Sequence, residues 1–509
     1  MSHAPDHRPG KALNDADPEA AAPEALVGHE SSPAGHAHEN LRLEKRTIDH
    51  IPVTERHGRA WNLFTIWFGS NIMLLTVATG VVATTVYGLP VWAALLSLAV
   101  GNVVGGVVMA LHAAQGPQMG VPQMLQTRAQ FGSYGSLLVV VLVIFMYVGF
   151  FASNLVLGGQ AAASLSGLDV NTAILLIGLV SVVGAIVGYR LIHALAGLMS
   201  VVSGVVLVLA FVWVLGVNGM PEGSLTSGTF SWLGFMGTLS LAALWQIAYA
   251  PYVSDYTRYM PRDTGVRPAF WATYSGAVAG SIFPMILGAL VGAALPDADT
   301  VTGLATLTRG VGTVVIAVFG IGIAATNAMN LYCGALSTIT VGQTLFPRWL
   351  PHAASRAVVS VALFAAALAM AIAGKDDFLV NFTNFMLLLL CVLVPWTAVN
   401  LVDYYAIKHG EYDIASLFER DGGVYGKVNG IAVACYFLGI AVQLPFLSTT
   451  IFVGPIAERL HGVDISWLVG LAVICPLYYL LMKRAGRVGR VAAVPVAGTP
   501  AGALARSDD

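Results

Sequence analysis

Trp232 to Tyr259 reads WLGFMGTLSLAALWQIAYAPYVSDYTRY. It starts as a run suited to lipid, meets a proline at 251 and finishes on Asp-Tyr-Thr-Arg-Tyr. Pro251 removes one backbone hydrogen bond, and its ring clashes one turn back. Inside a bilayer such a break survives only where protein or a wet cavity satisfies the freed groups. Just before the break, Trp245 offers a flat face and Gln246 offers two donors and an acceptor. Two readings stand at this point: the pair receives a planar polar ligand, or the Trp packs in a core beside an interhelical Gln bond.

The rest of the chain supplies the setting. Of its 509 residues, 57% are hydrophobic and only 10% are charged, and the mean hydropathy is +0.75. Soluble domains carry about 25% charged residues. Apolar runs of the length that crosses a bilayer as helix, about 20 residues, recur throughout. The strand alternation of a membrane barrel is absent. The fold class expected is therefore an all-α integral membrane protein. The net charge of −2 says little about partners, but no basic block suits nucleic acid, and no nucleic-acid partner is expected. Cys333, Cys391, Cys435 and Cys475 lie in apolar segments without metal-ligand spacing and read as buried thiols. Residues 1–50, rich in Ala, His, Pro, Glu and Asp, read as a disordered tail.

Twelve transmembrane helices are expected, near 62–87, 91–114, 137–165, 172–189, 194–217, 232–256, 269–294, 309–334, 356–373, 379–404, 428–449 and 465–482. With the N-terminus inside, ten loop Lys and Arg fall on the inner side, from Arg128 to Lys427, against three outside, Arg309, Lys375 and Arg459. Both tails, the second at 485–509, are then cytoplasmic, as the positive-inside bias requires.

The first span, LFTIWFGSNIMLLTVATG (Leu63 to Gly80), is interrupted by Gly69-Ser70-Asn71. This is either an unwound centre that frees carbonyls for a cation or a close helix contact. The first and sixth spans lie five helices apart and run in opposite directions. Paired interruptions at matching places in two halves point to a transporter site between inverted repeats. The expected organisation is a five-plus-five repeat, residues 51–217 and 218–405, with two extra helices in 406–484. In the third span, Gly149, Phe150 and Phe151 offer close approach and two rings. In the eighth, Thr326 and Asn330 share a face, and their oxygens suit a hard cation. Packing explains each of these segments equally well. His112 and Gln115 end the second span near its inner edge, too far from the bilayer centre for a proton relay.

RHGRAWNLFTIWFGSNI, then GPQMGVPQMLQTRAQFGSYGS (Gly116 to Ser136), YVSDYTRYMP and PWTAVNLVDYY (Pro395 to Tyr405) resemble the nucleobase:cation symporter-1 family, in its purine–cytosine permease branch. The resemblance runs from about residue 50 to 482. It implies a LeuT-type fold and no enzymatic activity. It implies import of a nucleobase or related planar heterocycle by cation symport across the plasma membrane, without a cofactor, in a protein that acts as a monomer. Carried over by position, it implies substrate contacts from Phe150, Phe151, Trp245, Gln246, Asn327 and Asn330. It also implies a sodium site made by the carbonyls of Gly69, Ile72, Gly322 and Ala325 with the hydroxyl and carbonyl of Thr326. Ala325 stands where sodium users of the family carry a hydroxyl, so sodium and proton both remain as coupling ion. Phe150 replaces the family's Trp. Asp255 and Asp403 are read as structural or gating groups at the inner face, with Asp255 either accepting hydrogen bonds or paired to Arg128 or Arg258.

Other functions leave marks that this sequence lacks. A nucleophile–base pair or metal cluster for a membrane enzyme is not visible. A zwitterionic substrate would call for charge at mid-span, and none is there, which leaves another small neutral solute (hydantoin, allantoin or a vitamin precursor) as the alternative cargo.

Overall fold

The computed structural model describes residues 48–487 apart from 347, 350 and 450. The two expected tails fall almost wholly outside these residues. Ile48, inside the first of them, is already buried in the fold, so the packed chain starts before residue 51.

Thirteen helices carry the architecture: α1 (Ala60–Asn71), α2 (Leu74–Thr85), α3 (Val91–Leu111), α4 (Ser136–Ser166), α5 (Val170–Val187), α6 (Tyr189–Phe211), α7 (Trp232–Ile247), α8 (Val266–Ala294), α9 (Gly312–Leu345), α10 (Ala353–Gly374), α11 (Phe378–Val402), α12 (Gly430–Gln443) and α13 (Ser466–Arg484). Among the described residues, ten helices are long and apolar enough to cross a membrane. The bent pair α1 and α2 makes an eleventh span. The apolar helix Gly430–Phe446, where the expected eleventh lies, is shorter than these. Side-chain caps start several helices: Asp169 accepts from Asn171 N and Thr172 N at α5, and Ser231 accepts from Gly234 N at α7.

Two groups of helices form, each drawn from both halves of the chain. In one, α7 lies along α3 and α8 lies along α1 and α2. In the other, α10 packs on α4 and α5 packs on α9. Each contact has a counterpart five spans on, which is the signature of a five-plus-five repeat in three dimensions. Small residues allow the first group to close tightly. A Cβ on Gly105 would fall into the backbone of Ala243, and one on Gly288 into that of Val77.

The structure adds helices that hydropathy does not reveal. Gln115–Met119 and Gln123–Phe131 fill the connection between α3 and α4, and Thr300–Leu307 lies between α8 and α9. α9 runs eleven residues beyond the expected 334, to Leu345. Two polar residues of its last turns are buried: Thr340 and Thr344, held by Arg128 of the Gln123–Phe131 helix.

Candidate functional site

The first span breaks where Gly69-Ser70-Asn71 ends α1. Ile72 (φ −86°, ψ 84°) and extended Met73 turn the chain before α2, and the two halves meet at 59°. The carbonyls that this frees are engaged. Ser70 O accepts the Thr326 hydroxyl at 3.0 Å, and Asn71 O accepts the Thr76 hydroxyl. The Asn71 side chain closes the break: its Nδ2 donates to Trp67 O at 2.6 Å, and its Oδ1 accepts from Trp245 Nε1 at 2.7 Å and from Ser281 Oγ at 2.9 Å.

The sixth span breaks differently. α7 ends at Ile247, one tight turn covers Ala250–Tyr252, and a short helix, Val253–Thr257, follows. The ladder is interrupted, yet Trp232–Thr257 still passes as one span, without the sharp bend of the first. Tyr147 of α4 satisfies the break, its hydroxyl donating to Pro251 O at 3.0 Å. Tyr252 donates to Asn330 Oδ1 at 2.6 Å.

Between the two breaks lies a small cavity of about 10 Å³, room for about one water. Met73, Trp245, Ala248, Tyr249 and Tyr252 line it from the interrupted spans, Phe150 and Asn154 from α4, and Thr326 and Asn330 from α9. No charged side chain lines it. Phe150 meets Trp245 edge to face, at 6.3 Å and 86° between planes, and meets Phe385 at 5.4 Å and 76°. Trp245 is pinned through its ring nitrogen to Asn71. In this closed arrangement a planar guest can lie flat on one of the two rings, not both.

Phe150, Trp245, Asn330 and Thr326 thus meet at one place. Gln246 and Phe151, predicted as substrate contacts, do not line the cavity. Gln246 Nε2 donates into the scaffold, to Asn102 Oδ1 at 2.8 Å, Ser281 Oγ at 3.1 Å and Ala277 O at 3.2 Å. Phe151 packs against Phe364 at 6.2 Å. Successive helical residues point about 100° apart, so Trp245 and Gln246, or Phe150 and Phe151, cannot serve one face. Asn327 stands one layer back, its Oδ1 accepting from Asn330 Nδ2 at 3.2 Å and its Nδ2 reaching Phe151 O at 3.4 Å. Sequence reasoning passed over Asn154, whose buried Oδ1 has no hydrogen-bond partner. It sits one turn after Phe150 on the same face, which is the signal that could have found it.

Two of the residues expected to hold a cation, Ile72 at the α1–α2 break and Gly322 of α9, come close together. The Ile72 carbonyl lies 3.0 Å from where a Cβ of Gly322 would stand. Gly69 instead abuts α6, where its Cβ would strike Ala196 O. Ala325 adds no side-chain oxygen, and Thr326 presents its hydroxyl to Ser70 O. An all-oxygen set of this kind fits a hard cation.

Beyond the break, Asp255 Oδ1 accepts from Gln123 N at 2.9 Å, tying the end of the sixth span to the Gln123–Phe131 helix. Arg128 is not its partner. That guanidinium donates to Leu417 O at 2.7 Å, Thr340 O at 3.1 Å and Thr344 Oγ1 at 2.6 Å, and burial lowers its pKa to about 10. Arg258 Nη2 donates to the Tyr332 hydroxyl at 3.1 Å. Asp403 accepts the Tyr412 hydroxyl at 2.8 Å and the Tyr478 hydroxyl at 3.0 Å.

Comparison with known proteins places this geometry. Residues 50–470 match the family described as "Permease for cytosine/purines, uracil, thiamine, allantoin". The putative purine-cytosine permease YxlA of Bacillus subtilis is 37% identical, over 87% of this chain and 96% of that protein. The purine-cytosine permease fcyB of Emericella nidulans is 26% identical, over 87% and 88%. Among solved structures, the nucleobase-cation-symport-1 transporter Mhp1, closed with bromovinylhydantoin bound, superposes with a TM-score of 0.68 at 18% identity, covering 87% of this chain and 96% of Mhp1. A Na⁺-coupled sialic acid symporter gives 0.60 at 12% identity, covering 86% and 92%. The match over most of the chain, the paired helix breaks and the shared fold lead to one assignment: this multi-pass membrane protein belongs to the nucleobase:cation symporter-1 family, in its purine–cytosine permease branch.

Proposed function

We propose that the protein imports cytosine or a purine across the cell membrane by cation symport with alternating access. The observation that carries this reading is the cavity at the two helix breaks: ring faces, no charge, and one buried amide oxygen, Asn154 Oδ1, without a partner. A buried acceptor left unpaired is costly and is matched by an N–H on a guest. Nucleobases are flat, uncharged and carry N–H groups on their edges. The base lies on Trp245 or Phe150, its edge donates to Asn154, and Asn330, oriented by Tyr252 and Asn327, takes a second polar atom.

The cavity of about 10 Å³ is too small for a base, so loading requires the two helix groups to part. Coupling requires cation and base to favour the same conformation, since a ligand shifts a population only through differential affinity. The coupling ion is read as sodium, held by carbonyls of Gly69, Ile72, Gly322 and Ala325 with Thr326. The close approach of the Ile72 carbonyl to Gly322 supports this. Proton coupling is the rival reading, because Ala325 leaves the set one hydroxyl short. Twelve spans, with Gly430–Phe446 as the eleventh, put both termini in the cytoplasm by the Lys and Arg bias. The transport unit is the single chain, with repeats 51–217 and 218–405.

Uptake into proteoliposomes across a panel of bases and hydantoins, with sodium and pH gradients imposed separately, tests the reading. Saturable uptake of a base driven by the sodium gradient is expected. Transport of a charged solute with no uptake of any base would overturn it.

A further inference from the structure

We propose a second binding site, for a phosphate group, in a polar cavity at the end of the last helix. The cavity measures about 500 Å³, far larger than the one between the helix breaks. It opens between the Gln123–Phe131 helix, the connection that follows α11 and the last turn of α13. Asp403, Lys408, Tyr425, Asn429 and Arg487 supply its polar lining.

The donors in it are under-used. Arg487 makes one side-chain bond, from Nη1 to Asn429 Oδ1 at 3.3 Å, which leaves four of the five guanidinium donors open. Lys408 forms no side-chain hydrogen bond or ion pair among the described residues, and its charge acts on the Asp403 carboxyl in the same lining. The Tyr425 hydroxyl accepts from Asp413 N at 2.6 Å and keeps its own proton to give. Asp403 is the one acid in the lining, and both its oxygens are taken by the hydroxyls of Tyr412 and Tyr478. A space walled by an ammonium, a guanidinium and a phenol complements a tetrahedral oxyanion.

Position says where the phosphate comes from. The cavity sits at the membrane edge, where α13 ends on Lys483 and Arg484 and α12 begins at Gly430. Val424 and Val428, each 57% exposed, form an apolar rim beside it. Basic pockets between membrane helices on the cytoplasmic side take anionic lipid headgroups. The same donors would also accept free phosphate, so both sources are tested. The site is separate from the transport cavity, and it rests on the proposed orientation only for the leaflet that supplies the lipid.

The experiment uses the full-length protein, delipidated and reloaded with phosphatidylglycerol or with phosphatidylcholine, and native mass spectrometry counts the lipid retained. Wild type should keep one phosphatidylglycerol in preference to phosphatidylcholine. Lys408→Gln with Arg487→Gln should weaken that retention about thirtyfold. Asn429→Asp, which sets a carboxylate against Arg487, should weaken it too, and the melting temperature of each variant confirms that it is folded. Displacement of the lipid by millimolar inorganic phosphate, or a phosphate-dependent melting shift lost in the double variant, would assign the site to free phosphate. Equal retention of both lipids by wild type without any phosphate effect, or undiminished phosphatidylglycerol retention by the folded variants, would overturn the proposal.

Discussion

Asn154→Ala separates a residue kept for a guest from one kept for the fold. The side chain is 1% exposed, and its Oδ1 has no partner in the closed protein. Removing it breaks no hydrogen bond that the fold makes and relieves a buried unpaired acceptor. The folded state should therefore be as stable as wild type or more so, by up to about 1–3 kcal/mol. Binding of a base should suffer in the opposite sense, since the N–H that faced Asn154 is left desolvated and unpaired. That loss is again about 1–3 kcal/mol, or roughly 5- to 150-fold in affinity. Equilibrium binding of a radiolabelled base to purified protein, with thermal unfolding of the same preparation, reads both quantities. An analogue with the edge N–H replaced by C–H should bind wild type weakly and lose nothing further in the variant. Unchanged affinity in Asn154→Ala would refute the reasoning. So would a variant that binds weakly only because it has become markedly less stable.

Gln246→Leu should show the reverse pattern. It deletes the donor that joins α7 to Asn102, Ser281 and Ala277, and should lower thermal stability by about 1–3 kcal/mol while the KM of the folded protein stays near wild type. Ala325→Ser supplies the hydroxyl that the proposed sodium set lacks. The sodium concentration for half-maximal uptake should fall about tenfold; no change in sodium dependence would remove the cation from this place. Burial holds the Asp464 carboxyl above the usual carboxylate range, against the downward pull of Ser448 N and Ser466 N, each at 2.9 Å. Its folded pKa exceeds its unfolded one, so its contribution to stability is full below the unfolded value and is lost as pH rises through the folded one. Unfolding curves measured across that window should slope downward with pH in wild type and lie flatter in Asp464→Asn.

The spans and the first break were legible because composition and local chemistry decide them. Apolar runs must cross, and Gly69-Ser70-Asn71 interrupts the apolar run of the first span where α1 ends. The choice between neighbours was not legible. Trp245 and Gln246 are both plausible ligand contacts in a string of letters, and only the packing of α7 on α3, with hydrogen bonds across to α8, shows that Gln246 faces Asn102 and Ser281. Asn71 read as either a cation site or a packing contact, and its part in fixing the Trp245 ring depends on a partner 174 positions away. Arg128 was offered to Asp255 by charge alone. The structure sends it to the Thr340 carbonyl and the Thr344 hydroxyl at the end of α9, whose polar last turns also hid the true length of that helix.

The central claim is that one uncharged pocket at two helix breaks receives a planar base. The most direct measurement is a structure of the protein with cytosine or a purine bound, at a resolution that fixes the ring plane. The account predicts a base flat against Trp245 or Phe150, with an edge N–H within hydrogen-bond distance of Asn154 Oδ1 and Asn71 still bonded to Trp245. A base bound elsewhere, or one whose edge faces Gln246 with Asn154 left unpaired, would contradict it.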